Sequence, residues 1–186
     1  MRKLIYAINV TIDGCCDHTK GIANEEIHDF FTDLMRQSGT LLYGRKTYDL
    51  MVPFWPNMAK DKSGSTKAMN DFAQAFDAVD KIVVVSKTLE KAEGKNTEII
   101  RTNLKEEVLK LKQQPGKDIS TGGVDLAGQL IELDLVDEFI IVVQPVLVGE
   151  GRRLFDHTIL PEKLHLKLID TKIFKTGGVA LRYAKQ

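Results

Sequence analysis

The chain has 186 residues and a mass of 20.9 kDa, enough for one domain of ordinary size spanning 1–186 and short for two. With 43% hydrophobic and 28% charged residues it can build a sizeable core, which excludes a wholly disordered chain. Lys plus Arg and Asp plus Glu stand at 26 each, a formal charge of +0, so the basic excess usual in nucleic-acid-binding domains is missing and only a local basic pocket stays open. No stretch approaches the roughly 20 consecutive apolar residues of a membrane helix, and the longest apolar run, Phe139 to Val143, has strand length. Met1 to Tyr6 runs directly into a strand-like segment without the apolar stretch or small-residue cleavage site of a signal peptide, so export is not expected. Cys15 and Cys16 are adjacent and close no loop, which fits a reducing cytoplasm.

Segments rich in branched and aromatic apolar residues alternate with amphipathic helical ones, the pattern of an α/β fold. Leu4 to Ile12 reads as a first strand. Residues 24 to 38 read as a helix capped by Asn24, with Glu25 and Glu26 in its positive first turn and a buried stripe of Ile27, Phe30, Phe31, Leu34 and Met35. Thr40 to Tyr43 is a short buried strand ending at Gly44, after which Arg45 to Met51 starts a helix. Residues 52 to 64 hold Pro53, Pro56 and Gly64 and read as a loop, before helical spacing resumes over Ser65 to Phe76. Lys81 to Ser86 is the clearest buried strand. Glu98 to Arg101 is another, followed by a helix near Leu104 to Lys112 that Pro115-Gly116 closes, then a strand at Asp118 to Thr121 and a helix from Val124 to Leu133. Glu138 to Val148 is long and strand-like, and Leu164 to Phe174 and Val179 to Ala184 flank a turn at Thr176-Gly177-Gly178, which suggests an antiparallel hairpin closing a mostly parallel sheet.

Three strand ends run into glycine or small polar residues: Tyr43-Gly44-Arg45-Lys46-Thr47, Val85-Ser86-Lys87 and Thr121-Gly122-Gly123. Ligands of open α/β sheets bind at such carboxyl ends. Arg45 and Lys46 fall in the first turn of a helix, where the macrodipole disfavours cations, so something anionic is expected to offset them. Free helix N–H groups, two cations and the Thr47 hydroxyl together suit a phosphate. The plainer alternative is a tight turn at Gly44 with both cations leaning into solvent. Gly39 to Thr47 nearly matches a P-loop, but its lysine falls one place late and Thr40 to Tyr43 reads as strand. Gly149-Glu150-Gly151-Arg152-Arg153-Leu154 offers half of a dinucleotide fingerprint, with Leu154 where a third glycine belongs. Its paired arginines either hold a second anion, such as a substrate phosphate, or are solvated. Cys15, Cys16, Asp17 and His18 are four consecutive residues and lack the spacing that wraps a metal ion, so none is expected. His157 and His165 stand near no nucleophile signature.

Leu42-Tyr43-Gly44-Arg45-Lys46-Thr47-Tyr48 resembles the cofactor motif of dihydrofolate reductase-like enzymes, and Val84-Val85-Ser86-Lys87 resembles their second cofactor strand. Gly122 to Ala127, Leu135 to Glu138 and Pro145 to Phe155, with the early Thr11-Ile12-Asp13-Gly14, are together similar to the RibD-type C-terminal reductase domain, and the ordered series covers nearly the whole chain. The resemblance implies a mixed, mostly parallel sheet of about eight strands flanked by helices, binding NADPH and passing hydride to a small heterocycle. It implies that the helices opening at Gly44 and Gly123 receive cofactor phosphates and that Ser86 lies near the adenosine 2′-phosphate, so Gly44, Arg45, Lys46, Thr47, Ser86, Lys87, Gly122 and Gly123 are the expected cofactor residues. Asp13 and His28 are the catalytic candidates, and Arg152 and Arg153 the substrate-binding ones.

True dihydrofolate reductases aim a carboxylate from their first helix at the pteridine. Here the helical stripe puts Asp29 on the far side and only His28 on the pocket-facing flank, so a substrate like that of the riboflavin-pathway reductase, 5-amino-6-(5-phosphoribosylamino)uracil, or an unassigned one, is favoured over folate. The deaminase domain that usually precedes that reductase is not legible in this chain. Two rivals stand: a true dihydrofolate reductase, and a non-catalytic nucleotide-binding module. The resemblance and the apolar C-terminal strands also imply a two-fold homodimer.

Overall fold

Strands and helices alternate along most of the chain. They are β1 (Leu4–Thr11), α1 (Glu25–Gln37), β2 (Ser38–Gly44), α2 (Arg45–Met51), α3 (Phe54–Asp61), α4 (Lys67–Asp77), β3 (Lys81–Val85), β4 (Thr97–Ile100), α5 (Leu104–Gln113), β5 (Asp118–Thr121), α6 (Asp125–Glu132), β6 (Glu138–Gln144), β7 (Leu166–Ile173) and β8 (Val179–Lys185). The computed structural model describes residues 1–22, 24–94, 96–156, 158–160 and 162–186, and His157 lies outside them. The eight strands form a mixed sheet in the order β4-β3-β2-β5-β1-β6-β8-β7, flanked by helices, as the resemblance implies. Among the described residues no helix is long and apolar enough to cross a membrane. The chain divides into two compact units, Met1–Arg2 with Ala23–Ser120, and Lys3–Ile22 with Thr121–Gln186.

In the first unit β2, β3 and β4 run parallel, with Leu42 opposite Val83 and Val84 opposite Ile99. Their side chains pack with those of α1, α2 and α4 in a core that includes Leu41, Tyr43, Tyr48, Phe72, Phe76 and Val84. Asn24 caps α1, its side chain accepting the Ile27 N–H at 2.9 Å. The buried stripe of α1 is narrower in aromatics than the sequence implies: Ile27, Leu34 and Met35 are buried with Thr32, whereas Phe30 and Phe31 are only partly covered. Residues 52 to 64, expected as a loop, contain helix α3. Its prolines explain both the misreading and the helix. Pro53 occupies the N-cap and Pro56 the third helical position, where the backbone N–H has no intrahelical partner to lose.

In the second unit β1 pairs in parallel with β6, and β6 pairs antiparallel with β8, which closes the hairpin with β7. β6 stops at Gln144, short of the expected Val148, because Pro145 lacks the N–H that would continue a ladder. Glu138 is buried between Lys3 at 2.6 Å and Arg182 at 2.7 Å; burial pushes its carboxyl pKa up, and the two cations hold it below the usual range. The alternation Leu164, Leu166, Leu168 suggests an apolar face buried within one chain, but β7 is the terminal strand of the sheet, and Leu168, Ile169 and Ile173 are 48%, 45% and 78% exposed. A bulge between Leu168 and Asp170 breaks the alternation, so sequence period no longer maps onto sheet face.

Candidate functional site

Each unit gathers its candidate residues just beyond the carboxyl ends of neighbouring strands. In the first unit Gly44 lies opposite Val85, and Val85 opposite Ile100, so Arg45, Ser86 and Arg101 leave adjacent strands side by side. Gly44 caps α2 in an extended conformation and offers no side chain to the N–H groups of the first turn. Arg45 and Lys46 are exposed and Thr47 is partly covered. The anion expected beside Arg45 is present within the helix: Nε donates to Asp49 at 2.6 Å. That pair sets the cation toward the helix N-terminus and the anion after it, the less favourable orientation, and both partners are nearly half exposed, so it contributes about 0.5 kcal/mol at most. Asp49 sits four residues after Arg45, the spacing from which it was readable.

Ser86 is buried, and its hydroxyl oxygen accepts the N–H groups of Thr88 at 3.3 Å and Leu89 at 3.0 Å. It thereby shapes the turn that presents exposed Lys87. Arg101, which the sequence reading passed over, braces the same turn by donating to the carbonyls of Leu89 and Glu90. The signal was available, since Arg101 also follows a strand end. His28 sits one turn into α1. Its Nδ1 lies 3.1 Å from the Asn24 carbonyl, an acceptor only, so Nδ1 is the donor in this contact. The ring stands edge-on to Trp55 and Phe72, while Asp29 is exposed.

In the second unit the parallel register ends with Thr11 opposite Gln144, which aligns the Asp13 turn with the loop after β6. The Asp13 carboxylate accepts from the Thr11 hydroxyl at 2.6 Å and from the backbone N–H groups of Gly149 at 2.9 Å and Val148 at 3.3 Å. The Thr11 hydroxyl, then the backbone N–H groups, hold its pKa down to about 2. Arg153 is 3.6 Å from the same carboxylate, so the structure brings these two candidates together. An acid so fully accepting is a clamp on the loop and an unsuitable proton donor near neutral pH.

Gly122 and Gly123 form the exit from β5. Gly123 has φ +81°, a left-handed conformation that L-residues adopt at a cost, and a Cβ on Gly122 would lie 3.4 Å from the Ala7 carbonyl oxygen. The Gly123 carbonyl accepts the hydroxyl of the fully buried Tyr6 at 2.8 Å. Asp125 occupies the first turn of α6 and takes Arg152 at 2.5 Å. Arg152 and Arg153, although neighbours in sequence, turn to different carboxylates and do not converge. Cys16 donates its thiol to the Arg152 carbonyl, and Cys15 is buried next to Gly151.

Known proteins resemble this chain over nearly its whole length. The protein named YyaP of Bacillus subtilis (strain 168) is 34% identical over 186 residues, covering 98% of this chain and 94% of its own. A crystal structure described as a putative riboflavin biosynthesis protein from Shewanella sp. PV-4 superposes with a TM-score of 0.73 at 18% identity, covering 100% of this chain and 99% of that one. Dihydrofolate reductase from Enterococcus faecalis, complexed with NADP(H), gives 0.64 at 13% identity over 99% and 96%. These two share the fold, which is the mixed sheet of RibD and dihydrofolate reductase-like reductases. The model of the RibD C-terminal domain matches residues 2–180, and the chain belongs to that family.

Proposed function

We propose that this protein is an NADPH-dependent reductase that passes hydride to a small heterocycle. The observation that carries the reading is the Gly122-Gly123 exit from β5, where two glycines, the second in the left-handed conformation, put no side chain on the turn in a family of reductases. Such a cradle fits a dinucleotide phosphate, which backbone N–H groups approach only where no Cβ intervenes. Gly44, Arg45, Lys46 and Thr47 would hold a second phosphate group, and Ser86 with Lys87 the 2′-phosphate that separates NADPH from NADH. The bound cofactor supplies the hydride, and the protein contributes position and proton.

Asp13 enters this reading as the residue that fixes the loop carrying Arg152 and Arg153 along the substrate side. His28, its ring against Trp55 and Phe72, is our candidate to handle a proton. The exposed position of Asp29 supports a substrate other than folate. The exposed apolar edge at β7 supports assembly as a two-fold homodimer through the C-terminal strands. The deciding experiment is paired titration with NADPH and NADH. NADPH is expected to bind at least tenfold tighter, a difference of about 1.4 kcal/mol and modest for charge-assisted phosphate contacts. Equal affinities overturn the cofactor assignment, and tight NADPH binding without turnover on any pteridine or pyrimidine makes the chain a nucleotide-binding module.

A further inference from the structure

Each of three cations on the substrate side of the second unit lies against a carboxylate. Lys20 pairs with Glu150, Arg152 with Asp125 at 2.5 Å, and Arg153 lies 3.6 Å from Asp13. Two more carboxylates stand close by: Asp156 accepts the Arg153 backbone N–H at 3.0 Å, and the Asp17 Cβ lies within 3.7 Å of where a Cβ on Gly151 would be. Among the described residues around this loop, carboxylates therefore outnumber cations. Asp13 stays ionised at any ordinary pH, because it accepts the Thr11 hydroxyl and two backbone N–H groups. The Nε of Arg152 makes no hydrogen bond, but it is buried and closed to a ligand. A phosphate dianion entering here would share each arginine with a carboxylate and sit among like charges that outnumber the cations, which weakens its binding.

Two large apolar side chains stand exposed on the same loops. Ile12 is 61% exposed and Leu147 is 69% exposed. Their loops are tied by the Ile12 N–H to the Val146 carbonyl at 3.0 Å and by Val148 N–H to Asp13. Large apolar side chains held in the open beside a ligand-binding strand end serve contact with an apolar body.

Resting on the reductase reading above, we infer that the substrate carries no phosphate and is an uncharged or cationic heterocycle whose ring system lies on Ile12 and Leu147. Arg152 and Arg153 then order the loop through Asp125 and Asp13 and make no anion contact. The inference parts this chain from reductases of 5-amino-6-(5-phosphoribosylamino)uracil, among them a structural neighbour from Thermotoga maritima.

The test is equilibrium titration of the protein, with and without NADPH, using that phosphorylated pyrimidine and its dephosphorylated riboside as a matched pair. The riboside is expected to bind at least about tenfold tighter, equivalent to about 1.4 kcal/mol. Equal or tighter binding of the phosphorylated compound overturns the inference. Independently of any pyrimidine, inorganic phosphate is titrated against the parent and the Asp13→Asn/Asp125→Asn double variant by phosphorus NMR. The variant, both arginines released, is expected to gain about fourfold in phosphate affinity, about twofold for each pair. A parent that binds phosphate as well as the variant does overturns the inference. Should the double variant unfold, Asp125→Asn alone, at an exposed position, releases Arg152 and is expected to gain about twofold. Loss of NADPH binding with a parent that rejects phosphate would fail the reductase reading and leave the charge argument standing.

Discussion

Replacing Gly123 separates a backbone requirement from a cofactor requirement. At φ +81° an L-residue pays about 1–2 kcal/mol relative to glycine, and a β-branched one more. For a chain of this length each kcal/mol moves the midpoint of thermal unfolding by about 2–4 °C, so Gly123→Ala should melt about 2–8 °C below the parent and Gly123→Val lower still. NADPH at a hundredfold excess over its Kd raises native-state stability by about 2.7 kcal/mol, which for the parent is a rise of about 5–11 °C. Gly123→Val should show the lower baseline and no NADPH-dependent rise. Gly122→Ala is the control: its Cβ would make an ordinary contact with the Ala7 carbonyl at 3.4 Å, so its baseline should stay near that of the parent. Differential scanning fluorimetry at several NADPH concentrations reads all three. A Gly123→Val protein that melts lower yet gains the full parental shift with NADPH would refute the phosphate role of this turn.

Asp49→Asn removes the carboxylate that competes for Arg45, and NADPH affinity should rise about twofold, the equivalent of about 0.5 kcal/mol for an exposed pair; an unchanged or weakened Kd by fluorescence titration counts against Arg45 as a phosphate ligand. Asp13, with its pKa depressed from 3.8 to about 2 in the folded state, stabilises the protein fully above its unfolded-state value and loses that contribution as pH falls from about 4 through 2. Asp13→Asn should therefore flatten this part of a urea-denaturation pH series, and a variant that keeps the parental acid slope shows that Asp13 is not the titrating clamp. Sedimentation equilibrium at micromolar concentration should give about twice 20.9 kDa. A charge placed at an edge strand blocks pairing, so Ile173→Lys should yield the monomer, and a dimer that survives it does not use β7.

The parts of the fold legible in the sequence were those written locally. The bounds of α2 follow from Gly44 and the run of helix-compatible residues behind it, and the cap of α1 from Asn24 ahead of two glutamates. Helix α3 escaped because Pro53 and Pro56 look like breakers wherever the start of the helix is not known. The site was legible as strand ends and glycines, but not as charge balance. Arg152 finds Asp125 across 27 residues, and Arg153 finds Asp13 only because β1 and β6 lie side by side. Periodicity could not reveal that β7 is an edge, since the same alternation serves a covered strand and a bare one.

The second unit is assembled from segments on either side of residues 23–120. β1 leaves the ribosome before its parallel partner β6, which emerges only after the 23–120 segment. The Leu4 N–H meets the Asp137 carboxylate across 133 residues. Closing a loop of that length costs about 4 kcal/mol of chain entropy before any contact forms, whereas the β7–β8 hairpin closes across the turn at Gly177. During synthesis the apolar strand from Leu4 to Val10 therefore waits unpaired while the first unit acquires its own core. The order of folding is thus inverted relative to the order of translation for this strand, and β1 is the segment a nascent chain must shield longest.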